Sequence, residues 1–161
     1  MMSLIRRIMM ANGDEDMSKW KLIADLTLEE ERTSIVFDKY ADGSEIGSLS
    51  DIMYHGNVLG TGDYLSYIRF KTNAGDTIFE ASNTVGKSSG SGAKTVLFLK
   101  KMANMWLPLY FRTTESTYSS SPTLSVPEVS EAEPIEVNDI RLFTVNPMAA
   151  GSHILIYGKE E

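Results

Sequence analysis

From Trp20 onward the apolar runs of this chain are short, and each is cut off by a cluster of Gly, Pro, Asn, Asp or Ser. None carries the 3.6-residue spacing over enough length to make an amphipathic helix, whereas several alternate with the period of two that suits a half-buried strand. The runs are Trp20–Leu28, Thr33–Phe37, Ser50–Tyr54, Tyr64–Lys71, Asp76–Glu80, Thr95–Lys100, Met105–Arg112, Ile135–Phe143 and Ser152–Tyr157. Asp42-Gly43 and Asn73-Ala-Gly75 read as turns, and Tyr64–Lys71 with Asp76–Glu80 as a hairpin. Gly56, Gly60 and Gly62 read as a loop, residues 113–134 as a long exposed one, and Asn146-Pro147 as the break between the last two runs. Leu28–Arg32 is the best place for one helical turn. Eight or nine short strands without helices predict an all-β chain, an antiparallel β-sandwich or jelly roll.

The first sixteen residues differ from the rest. MMSLIRRIMM is apolar and basic, and Asn12-Gly13-Asp14-Glu15-Asp16 is a polar, acidic break. The expected organisation is an N-terminal anchoring tail and linker over 1–16 and a sandwich domain over 17–161. Leu4, Ile5, Ile8, Met9 and Met10 form an apolar stripe at helical spacing beside Arg6 and Arg7. Ten residues are too few for a stable helix alone in water. Leu4, Ile5, Arg6, Arg7, Ile8 and Met9 are therefore expected to order on a partner, as an assembly contact of a homo-oligomer or with another protein.

Composition closes several routes to function. With no cysteine, disulfides, zinc–thiolate sites and thiol nucleophiles are excluded. A net charge of −7 argues against broad nucleic-acid binding, which needs clustered Lys and Arg. No apolar run approaches the roughly 18 residues of a membrane span.

Ala81-Ser-Asn-Thr-Val-Gly-Lys-Ser88 matches a loose phosphate-loop pattern after the apolar run Thr77–Phe79. A working loop requires a helix directly after Gly-Lys-Ser, and Ser89-Gly90-Ser91-Gly92-Ala93 does not favour one. Asp38–Gly43 begins like a calcium loop, but Tyr40 stands at the third position and Leu49 where the bidentate Glu belongs. His55, expected in a loop, and His153, in the terminal strand, share no metal-ligand spacing. No Gly-x-Ser-x-Gly elbow occurs. No catalytic residue, metal or cofactor is expected, and the chain is read as not being an enzyme. The aromatics carry more: Tyr54, Tyr64 and Tyr118, in or beside loops, are the candidates for stacking on sugar faces.

The closing stretch, Ile140 to Gly158, resembles the end of small bacteriophage and prophage virion proteins of jelly-roll type: an aromatic (Phe143), a small-residue turn (Ala150-Gly151-Ser152) and a closing strand (Ile154-Leu-Ile-Tyr-Gly158). Ser152 stands where that family usually has Thr. Trp20–Leu28 and Ile35–Phe37 resemble its first two strands, and the Met- and Arg-rich start resembles tail, neck or head-fibre proteins. The resemblance implies a structural protein of the virion that assembles with copies of itself and other virion proteins and displays its sandwich, with host-surface glycans as a ligand. A stand-alone bacterial carbohydrate-binding module is the alternative; such modules usually travel with a catalytic domain, whereas this chain is expected to be whole at 161 residues. Read residue by residue, Gly151 permits a positive φ before the last strand, and Ser152 supplies a turn hydrogen bond. Ile154 and Ile156 face one side and Leu155 and Tyr157 the other, as in a strand covered on both faces.

Overall fold

The computed structural model describes residues 17–60, 68–72, 77–81, 93–102, 105–114, 124–125 and 136–161. Among these residues a 3₁₀ turn at Met17–Lys19 is followed by ten strands: β1 (Trp20–Thr27), β2 (Arg32–Phe37), β3 (Leu49–Val58), β4 (Ile68–Lys71), β5 (Thr77–Ala81), β6 (Ala93–Met102), β7 (Met105–Thr114), β8 (Leu124–Ser125), β9 (Ile140–Met148) and β10 (His153–Glu160). They form two five-stranded sheets. The front sheet runs β1-β10-β3-β6-β7 and the back sheet β2-β9-β4-β5-β8. Every pairing is antiparallel. The fold is the all-β sandwich that the strand pattern predicts.

The core lies between the sheets. Ile52, Tyr54, Leu97, Leu99, Ile154 and Ile156 from the front meet Phe70, Ile78, Ile140 and Leu142 from the back. β10 holds the centre of the front sheet between β1 and β3. Its Ile154 and Ile156 belong to this core, while Leu155 and Tyr157 join a second apolar cluster on the outer side. A strand apolar on both faces thus sits where both faces are covered.

Two turns behave as their residues demand. Gly43 takes φ 85°, with the Ser44 amide donating to Asp42 Oδ1 at 2.9 Å. Gly151 takes φ 86°. The Ser152 amide donates to the Ala149 carbonyl at 3.2 Å. The Ser152 hydroxyl, fully buried, accepts from the Leu59 amide at 3.0 Å. It ties this turn to the end of β3.

Three local expectations are corrected. Leu28–Arg32 makes no helical turn but a bend, because the Leu28 amide donates to Ser152 and its carbonyl accepts from Gly151, both at 2.8 Å. Asn146-Pro147 does not break the chain. β9 runs on to Met148, which pairs with Arg32 and bridges to Gly60, so Pro147 occupies a strand end where a missing donor is tolerated. His55 and Gly56 lie in no loop; both are inside β3, paired to β10 and β6. A glycine is required there because the Tyr54 ring folds back over it: a Cβ on Gly56 would sit 1.9 Å from Tyr54 Oη.

Candidate functional site

The register of the front sheet arranges its outer face in rows. Lys159, Asp51 and Lys100 lie side by side, then Tyr157, Met53 and Phe98, then Leu155, His55 and Val96, then His153, Asn57 and Lys94. Leu22 of β1 extends the second row. The first row is an ion cluster: Asp51, 1% exposed, lies 3.9 Å from both Lys100 and Lys159 and accepts from the Ser50 hydroxyl at 2.6 Å.

The apolar rows form a second core. Met53, Phe98, Leu155 and Trp20 pack together with Leu22 and Tyr157 at the margin. Trp20 starts on edge strand β1, yet its ring centroid is 5.7 Å from that of Phe98 on β6, so the indole lies over β10 and β3. That overlay accounts for Met53 being 1% exposed. Trp20 itself is 8% exposed on the outside of the sheet. Antiparallel sheets commonly turn a polar face to water, whereas the middle rows of this face are apolar.

At the far end His153 Nε2 pairs with Asp25 Oδ1 at 2.7 Å. The half-buried His55 has no described hydrogen-bond partner for Nδ1. Burial first, then the neighbouring His153 and Lys94, hold its pKa below the ordinary histidine value. A depressed folded-state value stabilises the fold above the ordinary value, about 6.5, and that stability is lost as pH falls through the folded-state value. The unfolding temperature is expected to fall as pH drops below about 6.5, and His55→Gln should flatten that portion of the profile.

The back sheet's outer face is of another kind. Ser34, Phe143 and Arg69 form one cross-strand row, and Val36, Arg141 and Lys71 the next. The guanidinium carbons of Arg69 and Arg141 stand 5.9 and 5.7 Å from the centroid of the half-buried Phe143 ring. Arg141 Nε donates to Ser34 Oγ at 2.7 Å. Val36 is 45% exposed beside them.

Two concavities lie among the described residues. A groove of about 890 Å³ runs between β1 and β2, lined by Leu26, Leu28, Glu29, Glu30, Ile35 and Val36 among others. A cleft of about 360 Å³ gathers Lys19, Lys21, Ser50, Lys159, Glu160 and Glu161. In that cleft the charges are already matched. Glu160 accepts from Tyr40 Oη at 2.9 Å and from the Gly47 amide at 3.0 Å, Lys21 lies over the Tyr40 ring, and Lys101 pairs with Glu161. No group of three or more His, Asp or Glu among the described residues is arranged to hold a metal ion.

The candidates for glycan stacking fare unevenly. Tyr54 is corrected: it is fully buried, with its ring edge-on to Phe70 at 5.0 Å, and presents no face to a ligand. Burial without a partner raises its phenol pKa, and Oη has no described hydrogen bond. Tyr54→Phe removes an unsatisfied buried hydroxyl, and should raise stability by about 1 kcal/mol, read as an upward shift in the urea midpoint. Tyr64, Tyr118, Leu4, Ile5, Arg6, Arg7, Ile8 and Met9 lie outside the described residues, as does the phosphate-loop lookalike around Lys87. An aromatic that sequence reasoning did not consider for stacking is Phe143, half-buried on the outer face of the back sheet. Its signal was the alternation of Ile140 and Leu142 with Arg141 and Phe143, which puts the latter two on the opposite face.

No protein-family model matches the chain, and no curated protein matches it in sequence. Among solved structures the chain is similar to the CBM2 module of the evolved Dit of Lactobacillus casei BL23 phage J-1. The identity is 9% and the TM-score 0.28, over 87% of this chain and 77% of the other. A likeness that slight establishes neither a family nor a ligand.

Proposed function

We propose that this chain is a structural protein of a phage virion, in which the N-terminal segment seats on the outer face of the front sheet and the two together make the assembly contact. The back sheet then remains free to meet host-surface glycans. The observation that carries this reading is the sealed apolar cluster of Trp20, Met53, Phe98 and Leu155 on a face that a free-standing sandwich would keep polar. All its members come from β1, β3, β6 and β10.

The segment fits the face in length and chemistry. Five strands span about 19 Å at 4.8 Å spacing, and ten helical residues are about 15 Å long. The described chain begins with Met17–Lys19, directly before Trp20 of the cluster. Leu4, Ile5, Ile8, Met9 and Met10 supply the apolar side chains, each worth roughly 1.5–3 kcal/mol when fully buried. Deleting residues 1–16 should lower the oligomeric mass in sedimentation and abolish incorporation into particles. An unchanged mass and full incorporation would end this reading.

A further inference from the structure

We propose that His55 is an acid-sensitive release point in the assembly contact, where taking up a proton opposes the seating of the N-terminal segment on the outer face of the front sheet. The inference rests on that seating, as given in the proposed function, and adds its regulation by pH.

His55 stands on the outer face of β3, among the apolar rows. Leu155 on β10 and Val96 on β6 lie directly across from it, both buried, and the row of Tyr157, Met53 and Phe98 runs alongside. The ring is half-buried, and its Nδ1 is buried with no hydrogen-bond partner among the described residues. A neutral imidazole can leave that nitrogen bare, whereas the charged ring carries a proton on both nitrogens and needs an acceptor for each. Burying a charge without such a partner is costly.

The charged groups around the ring do not offset a positive charge on it. His153 on β10 and Lys94 on β6 flank it in the next row, on either side of Asn57. Arg112 on β7 is the register neighbour of Val96. Among the described residues the one carboxylate in the row of His55 is Asp25 on β1, the register neighbour of Leu155. It lies two strands away, about 10 Å, and is paired with His153 Nε2 at 2.7 Å. The two histidines therefore differ: a proton on His153 completes an ion pair, and a proton on His55 meets only like charge. Burial first, then His153 and Lys94, already hold the His55 pKa below the ordinary histidine value.

Seating the segment sharpens this contrast. Leu4, Ile5, Ile8, Met9 and Met10 exclude water from the ring, and Arg6 and Arg7 bring two further positive charges. The seated state favours neutral His55 more strongly than the open state does, so by linkage acid favours the open state. One proton per contact sets the limit, and association weakens by at most about tenfold for each pH unit.

The test measures the concentration midpoint of assembly of the full chain by sedimentation, at about pH 7.5 and about pH 5, with circular dichroism establishing that the strands persist at both. The parent midpoint should rise about fivefold or more at the lower pH. Each variant is compared with itself at the two pH values. His55→Gln should lose the rise, because glutamine does not titrate, and His153→Gln should keep it. His55→Lys, charged at both pH values, should assemble weakly at both. An equal midpoint at the two pH values in the parent, or the same rise in His55→Gln, overturns this inference and leaves the seating standing. A chain lacking residues 1–16 that assembles as the parent does at neutral pH overturns the seating and this inference together.

Discussion

A chain carrying Gly56→Ala is expected to lose about 3 kcal/mol or more of stability, seen as a large drop in the urea midpoint. In an ordinary strand the opposite sign holds, since replacing an interior glycine by alanine reduces the unfolded chain's entropy and helps by about 0.4–1 kcal/mol. The reversal comes from Tyr54, two residues earlier on the same inward face of β3. The new methyl would lie 1.9 Å from its hydroxyl and 2.4 Å from Cζ. The ring has nowhere to retreat, because it is fully buried and set edge-on against Phe70. Close-packed interiors do not yield by ångströms without opening voids elsewhere. Combining Gly56→Ala with Tyr54→Leu should recover part of the loss, giving a coupling that separates this contact from a general dislike of alanine in β3. A single variant as stable as the parent would show that the Tyr54–Gly56 stacking is wrong.

That same pair marks where the sequence was legible and where it was not. Alternation in Ile154-Leu-Ile-Tyr157 told that both faces of the last strand are covered, and the structure places one pair in the main core and the other in the outer cluster. Gly151 and Asp42-Gly43 announced their turns through the backbone freedom that glycine alone offers. Gly56 did not, because a glycine that marks a turn and one that makes room for a ring look identical in one dimension. Reading it as a loop cut β3 short. Tyr54 then seemed to stand beside that loop, when Ile52, Tyr54, Gly56 and Val58 in fact share the buried face. The Phe143 site was hidden for a different reason. Arg69 and Phe143 meet through the β4–β9 register, a pairing between segments far apart in the chain that no local pattern encodes. Leu28–Arg32 carried helix-forming glutamates, yet hydrogen bonds to the distant Gly151-Ser152 turn decided its conformation.

The second large effect is expected on assembly. Leu22 and Tyr157 stand at the margin of the outer apolar cluster, half-buried and adjacent in register. Replacing both by lysine puts two charges where the N-terminal segment is proposed to seat. The main core is untouched, so the strand-rich circular dichroism spectrum should persist. Removing roughly 3 kcal/mol of apolar contact weakens association more than 100-fold, which would appear as a monomer at concentrations where the parent assembles. Val36→Lys, on the opposite sheet, should leave the assembled mass unchanged. Monomers in both cases would mean that added charge alone disperses the assembly.

The most direct measurement of where the segment lies exploits the lack of native cysteine. One cysteine at Ile5 or Ile8 and one at Leu22 or Tyr157 can form a disulfide only if their Cα atoms approach within about 7 Å. Under mild oxidation at least one of these four pairs should cross-link rapidly, either within a chain or between neighbours. The same tail cysteines paired with one at Val36 on the back sheet should not. Failure of all four pairs, or equally fast cross-linking to Val36, would contradict the account of the front sheet's outer face as the seat of the N-terminal segment.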